Sequence, residues 1–339
     1  MKRVTIKDIA KHLTISASTV SRALANDPNI RKETRDRIVR TAHQLGYKRN
    51  IVAANLRTGR TGTIGAVVDE MMTPYIAQAL RGIQNVMQLE GISIMVACSY
   101  HDSAQEAKNI HAMESALVDG LIIAPCHGSA NNDIFQHTAD KGVPIVFLGR
   151  NPGIENASEV VPDDYSKAFY LMDHVLRGGR KRVAHITGDV PSAYFDRIVR
   201  GYRDCLARFG LDFDPKLVVR AKPTFEGGIS AVDELALRGV EFDAVFAVSD
   251  LQAIGAMNHL LEKGVDVPGD VAVAGYAGSY LSKMVFPQLT TVEHPLLEMG
   301  EKAGRLLLEL IKNPDAPSRS VTVDAKIMLR NSTHSQVRR

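Results

Sequence analysis

From Thr63 onward, short apolar runs alternate with helix-length segments, and this alternation restricts the fold more than any other feature of the chain. Ile64–Val68, Ile92–Ala97, Gly120–Ala124 and Ile145–Leu148 are separated by helical stretches near Tyr75–Glu90, Ala104–Leu117 and Asn132–Lys141. The pattern resumes with Val183–Ile186, Leu217–Val219, Ala244–Val248 and Val271–Gly275. Strands that are apolar along their whole length are buried on both faces, as in a parallel sheet covered by helices. Two such halves, each of roughly 100–130 residues, predict two doubly wound α/β lobes.

The first 60 residues differ in charge and in period. They hold 14 lysines and arginines against four acids, Asp8, Asp27, Glu33 and Asp36, whereas the rest holds 27 against 34. A basic head on an acidic body predicts that the head meets a polyanion. A solvated basic tail is the plainer alternative, but a disordered tail lacks apolar periodicity. Here Ile6, Ile9, Ala10 and Leu13 share one helix face, with Thr5 and Asp8 forming a capping-box-like start. Ala17, Val20 and Leu24 repeat the spacing after the N-cap residue Ser16, and Ile38, Ala42 and Leu45 make a third stripe closed by Gly46. Only Thr14-Ile15-Ser16 separates the first two stripes, so the head is predicted to be an all-α helix-turn-helix unit. The outward positions of the second helix are small or hydroxylic, plus Arg22. Short side chains let a helix backbone enter the major groove, hydroxyls bond phosphates, and arginine pairs bidentately with guanine.

Composition excludes several classes. Apolar residues are 45% and charged residues 23% of the 339, the balance of a globular chain. Cys98, Cys126 and Cys205 are scattered, with neither disulfide nor zinc spacing, which fits a reducing compartment. No run of 18 apolar residues predicts a membrane span, and the start has no apolar core of a signal peptide. No GxGxxG follows the first strand, and no GxxxxGK[ST], GxSxG or HExxH occurs, so no enzyme, metal site or cofactor is expected. Gly178-Gly179-Arg180-Lys181-Arg182 reads as a basic helix end rather than a phosphate site.

Val4-Thr5-Ile6-Lys7-Asp8-Ile9-Ala10, Ser16-Ala17-Ser18-Thr19-Val20-Ser21-Arg22, Thr34-Arg35 and Leu45-Gly46-Tyr47 together resemble the headpiece of the lac repressor family, with matching spacing. The resemblance implies a cytoplasmic, nucleoid-associated transcription regulator that binds double-stranded operator DNA as a homodimer. Thr5, Ser16, Thr19, Ser21, Asn29 and Thr34 would then sit at phosphates, and Ala17, Ser18 and Arg22 would face bases. A C2 dimer suits a palindromic operator. Residues 48–62 resemble the family's hinge helix and linker, which implies a helix that orders on DNA and lies in the minor groove. Leu56 would act there as an apolar wedge, with Asn50 and Ala53 lining the contact. A flexible tether is the other reading of this segment.

The likeness continues through Thr63-Ile64-Gly65, Val118-Asp119-Gly120, Gly142-Val143-Pro144, Ala247-Val248-Ser249-Asp250, Asp270–Tyr276 and Leu289-Thr290-Thr291-Val292, and so spans 1–330. It implies a two-lobed, periplasmic-binding-protein-like body over 63–330, with three crossings near 161–164, 289–294 and 317–321. The N-lobe is then about 63–161 and 294–318, the C-lobe about 162–290 and 320–330, and 331–339 a tail with no tetramerising heptad. A carbohydrate-like effector is expected between the lobes, beyond the carboxyl ends of the strands. Tyr75, Arg197, Phe225, Ser249 and Asp250 are its candidate contacts. Asp250 equally suits an N-cap of the helix Leu251–Leu261, Tyr75 also suits core packing, and Phe225 either closes the cleft or staples the next helix. Two positions depart from the family pattern: Ala277 stands where an effector-binding Asp is usual, and Ile198 where an Arg is usual, with Arg197 one residue earlier. A DNA-binding protein with a weakened effector site is therefore the alternative to an effector-responsive one, and a pure ligand-binding protein is disfavoured by the basic head.

Overall fold

In the head, three helices pack around one small core. The computed structural model describes residues 4–24, 27–47, 60–71, 74–126 and 130–334, without the side chains of Pro74 and Tyr75. It divides into two units, Met1–Thr61 and Gly62–Arg339. In the first, α1 (Ile6–Leu13), α2 (Ala17–Leu24) and α3 (Lys32–Gln44) bury Ile9, Ala10, Leu13, Val20, Ala23, Ile38 and Ala42 together. Three of the helix ends have a local cause. Asp8 accepts the Thr5 backbone N–H at 2.8 Å, and Ser16 Oγ accepts the Thr19 N–H at 3.1 Å to cap α2. After α3, Gly46 takes φ +67° and Tyr47 N–H bonds Ala42 O at 2.9 Å, a Schellman-type stop. Arg31, at the start of α3, offers no side-chain cap. The hinge residues Asn50, Ala53 and Leu56 lie outside the described residues.

The second unit holds two parallel sheets. The first has the order β11-β5-β4-β3-β1-β2, from β1 (Thr63–Val68), β2 (Ser93–Cys98), β3 (Leu121–Ile123), β4 (Ile145–Leu148), β5 (Ser158–Pro162) and β11 (Ser320–Val323). The second has the order β7-β6-β8-β9, from β6 (Val183–Thr187), β7 (Val218–Arg220), β8 (Ala244–Ala247) and β9 (Ala272–Ala274). β3, β4, β6 and β8 are buried throughout, because helices cover both faces of each sheet. In the first lobe α4 (Pro74–Leu89) and α11 (Leu296–Lys312) lie on one face, while α5 (Ser103–Ser115) and α6 (Asn132–Asp140) cover the other. In the second lobe α7 (Asp164–Arg177) and α8 (Ala193–Arg208) lie opposite α9 (Phe225–Leu237) and α10 (Asp250–Glu262). β10 (Thr291–Glu293) and β12 (Lys326–Met328) pair antiparallel beside this lobe.

Glycines let helices touch backbone to backbone in both lobes. A Cβ on Gly300 of α11 would lie 2.0 Å from Ala79 O of α4, and one on Gly82 2.2 Å from Leu297 O. Between α9 and α10, a Cβ on Gly228 would lie 2.0 Å from Gln252 O and one on Gly255 2.0 Å from Phe225 O.

The chain passes between the sheets after Pro162, after Glu293 and after Val323. The third passage corrects the expected crossing near 317–321, which assigns residues 320–323 to the C-lobe: Ser320↔Glu159 through Val323↔Pro162 pair them with β5 of the first sheet. An isolated Ser-Val-Thr-Val strand carries no mark of which sheet edge it joins. The expected tail is corrected over its described part, 331–334, because Ser332 is fully buried between β9 and Thr290, the residue before β10.

Candidate functional site

The head presents one coherent polar face. Ala17, Ser18 and Arg22 are exposed, at the start of α2 and one turn along it, while Val20 and Ala23 of the same helix are buried. The 3.6-residue period thus separates a core stripe from an outward stripe of small side chains ending in a guanidinium. Thr5, Ser16 and Asn29 are exposed beside it, and Thr19, Ser21 and Thr34 are half-buried. The hydroxyls of Ser16, Ser18 and Thr19 lie 2.8 Å apart in a chain centred on Ser16. Asn29 is held by Asp27, whose Oδ1 accepts its side-chain amide at 3.0 Å. Arg35 shapes this loop from α3, donating to Ile30 O at 3.0 Å and Asp27 O at 3.2 Å. That role cannot be read from periodicity, since it uses backbone carbonyls brought together only by folding.

In the body, loops at the carboxyl ends of strands from both sheets surround a cavity of about 610 Å³ between the lobes. Ser249 and Asp250, after β8, stand on its wall. Ser249 is the N-cap of α10, accepting the Gln252 N–H at 3.2 Å, so Asp250 is not the cap. Instead Asp250, 2% exposed, accepts the Ser279 N–H at 2.6 Å and the Thr291 hydroxyl at 2.5 Å. Burial pushes its carboxyl up to about 7, although the bonds from Thr291 and Ser279 oppose the rise. Arg197 and Phe225 are not among the residues described as lining the cavity. Arg197 lies next to the fully buried Ile198, and that step of about 100° turns its guanidinium toward Asp163, 3.9 Å away. Phe225 opens α9 and packs on the core of the second lobe, which favours its role as a staple. The side chain of Tyr75 lies outside the described residues.

The fold adds groups that the sequence did not single out. Asp69, at the end of β1, reaches the cavity, where burial and the adjacent Glu70 raise its carboxyl to about 7. Asp164 and His294, buried beside the first and second passages, approach to 3.5 Å. Tyr276 donates its hydroxyl to Asp164 O at 3.1 Å and stands edge-on to the His294 ring, 5.4 Å between centroids. Asp164 is more than 100 residues from the other two and meets them only beside the passages between the lobes. Cys126 also lines the cavity, but burial and Glu106 raise its thiol far above neutrality, so it is no nucleophile. Among the described residues no cluster of three or more His, Cys, Asp or Glu is arranged for a metal, and no helix is long and apolar enough to cross a membrane.

A basic helix-turn-helix head joined to a two-lobed, cleft-bearing α/β body defines a class, the DNA-binding regulators with a binding-protein-like core. The family model described as bacterial regulatory proteins, lacI family, matches residues 5–50, and that of the periplasmic binding protein-like domain matches 172–333. Catabolite control protein A of Staphylococcus xylosus is 30% identical over 330 residues, covering 97% of this chain and 99% of that protein. Among solved structures, the CelR transcriptional regulator in complex with cellobiose is 28% identical, with a TM-score of 0.74 over 97% of this chain and 100% of that one. The lac repressor dimer bound to operator shares the fold, with a TM-score of 0.87 at 22% identity over 98% of this chain and 100% of that one. The chain belongs to the lacI family of bacterial regulatory proteins, and it is a DNA-binding transcription regulator. The relatives named here are regulators rather than enzymes.

Proposed function

We propose that this chain is a repressor that binds a palindromic operator as a homodimer and that a carbohydrate-like effector in the inter-lobe cleft sets its DNA affinity. The observation that carries this reading is the outward stripe of Ala17, Ser18 and Arg22 on α2, in a chain that also encloses a ligand-sized cavity. Residues 1–47 act as the head and 48–62 as hinge and linker, with the body beginning at residue 63. Thr5, Ser16, Thr19, Ser21, Asn29 and Thr34 contact phosphates, and Arg22 reads a base beside Ala17 and Ser18. Asn50, Ala53 and Leu56 enter the minor groove. The protein works in the cytoplasm, on the nucleoid.

Ser249, Asp250 and Tyr75 are the proposed effector contacts. A ligand shifts DNA affinity only through its different affinity for the DNA-competent and incompetent arrangements of the lobes. Three passages allow the lobes to close about a ligand as a hinge, and the cellobiose bound by CelR supports a carbohydrate in the cleft. Ala277 favours a second reading, that of a weakened site, since it replaces the family's usual Asp and removes a charged hydroxyl acceptor. The loss of one such bond costs about 1.5–3 kcal/mol.

The test is to select operator sequences with the full chain, then measure their affinity by fluorescence anisotropy with and without members of a sugar panel that includes cellobiose. Release or tightening by a sugar, abolished in Asp250→Ala, is expected. A confirmed sugar effector whose affinity survives both Asp250→Ala and Tyr75→Ala would misplace the pocket. If no sugar changes DNA affinity or melting temperature, the weakened-site reading stands.

A further inference from the structure

The charges facing the cleft are unbalanced. Asp69, Glu70, Asp164 and Asp250 all border the cavity, and Arg150 is the only lysine or arginine among the described lining residues. The Arg150 guanidinium already has a carboxylate, Glu159, at 3.6 Å. His294 faces Asp164 at 3.5 Å, and His101, largely exposed, lies 3.7 Å from Asp69. Asp250 accepts from an amide N–H and a hydroxyl, both neutral donors, and the Arg330 guanidinium, itself no cavity-lining residue, offsets its charge only in part.

Helix N-termini are the usual alternative receptors for an anion. Those of α6, α7, α8, α9, α10 and α11 border this cleft, through Asn132, Asp164, Ser192, Thr224, Ser249 and Leu296. Ser192, Thr224 and Ser249 each spend a hydroxyl on an N-terminal N–H: Tyr194 at 3.3 Å, Gly227 at 3.2 Å and Gln252 at 3.2 Å. All six helices have an acid in the first turn: Asp133, Asp164, Asp196, Glu226, Asp250 and Glu298. The positive helix ends are therefore already answered by the chain itself.

We propose that the cleft takes a hydroxylated ligand bearing a cationic amine, such as an amino sugar, and turns away phosphorylated and carboxylated ligands. This rests on the reading of the cleft as the effector site and narrows it. The amine would supply the charge that the carboxylates lack, while the half-buried Tyr194 offers an aromatic ring to the carbon skeleton. Burial raises the carboxyls of Asp69 and Asp250, with the charge of Glu70 adding to the rise at Asp69, so a bound cation would favour their ionised forms.

The experiment has two arms on the full chain. In the first, Ala193→Cys places a thiol on an exposed position of the cleft wall. Its labelling by trimethylammonium-ethyl and by sulfonato-ethyl methanethiosulfonate at low salt is compared with that of 2-mercaptoethanol, with the wild-type chain as the background for Cys98, Cys126 and Cys205. A normalised preference for the cation of roughly tenfold is expected, from the local enrichment that a charged cleft produces. It should fall toward one in Asp69→Asn/Glu70→Gln. A normalised ratio of one or less overturns the proposal. The second arm measures binding of matched probes: glucose, glucosamine and glucose 6-phosphate, and ribose with ribose 5-phosphate. A phosphorylated probe that binds as tightly as its parent also overturns it. If no sugar binds while the labelling preference holds, the carbohydrate effector fails and the cation-selective cleft stands.

Discussion

Ser332 and Thr290 are joined by a hydrogen bond from the Thr290 backbone N–H to the Ser332 hydroxyl, 2.8 Å long and buried. Ser332 Oγ donates in turn to Val273 O at 2.5 Å, and its backbone bonds Val273 N at 2.8 Å and Gln288 O at 2.9 Å. Residues 331–334 are thus a strap that completes the second lobe. Truncation after Arg330 should leave the N–H groups of Val273 and Thr290 unpaired, at about 1–3 kcal/mol each. The melting temperature should fall by several degrees, at roughly 2–4 °C per kcal/mol. An unchanged midpoint would show that the strap contributes nothing.

The backbone contact of α4 with α11 makes a sharper packing prediction. Gly300→Ala puts a methyl 2.0 Å from Ala79 O, so the helices must part. Such overpacking costs about 1–3 kcal/mol. Gly304→Ala, in the same helix, would meet Val86 Cβ at 3.2 Å and should cost less. Urea unfolding of the two variants should rank them in that order.

Asp69 ties stability to pH. Its carboxyl has an ordinary value of 3.8 and is raised to about 7 in the folded chain. A raised acid keeps its proton on folding, so the associated stability is complete below about pH 4 and is lost as pH climbs to 7. Asp69→Asn cannot lose that proton. Its melting temperature relative to wild type should therefore rise between pH 5 and pH 8, and a constant difference would show that Asp69 ionises normally.

Arg22→Ala should weaken operator binding by about 1–3 kcal/mol and relax specificity at one base step. An unchanged ratio of operator to random-DNA affinity would remove its base-reading role. Leu56→Ala should reduce operator bending, since an inserted side chain drives the unstacking. Circular-permutation gel shifts measure the angle.

The sequence by itself determined the helix-turn-helix, because its stripes, caps and turn are local: Ile9, Val20 and Ile38 point inward at helical spacing, and Gly46 stops α3 where only a left-handed residue fits. It also determined the parallel sheets, since β3, β4 and β8 are apolar on both faces. Tertiary structure decided what depends on partners distant in the chain. β11 joins β5 rather than the second lobe, and Ser332 is core rather than tail, because pairing and burial are set by what lies alongside. The cleft divides the same way. Ser249 and Asp250 were legible from the strand end they follow, whereas Arg197 turns elsewhere by the rotation of one helix position and Phe225 packs on the second lobe's core. Asp69, Asp164, Tyr276 and His294 become a site only when folding brings together carboxylates and rings more than 100 residues apart, and burial there raises the Asp69 carboxyl.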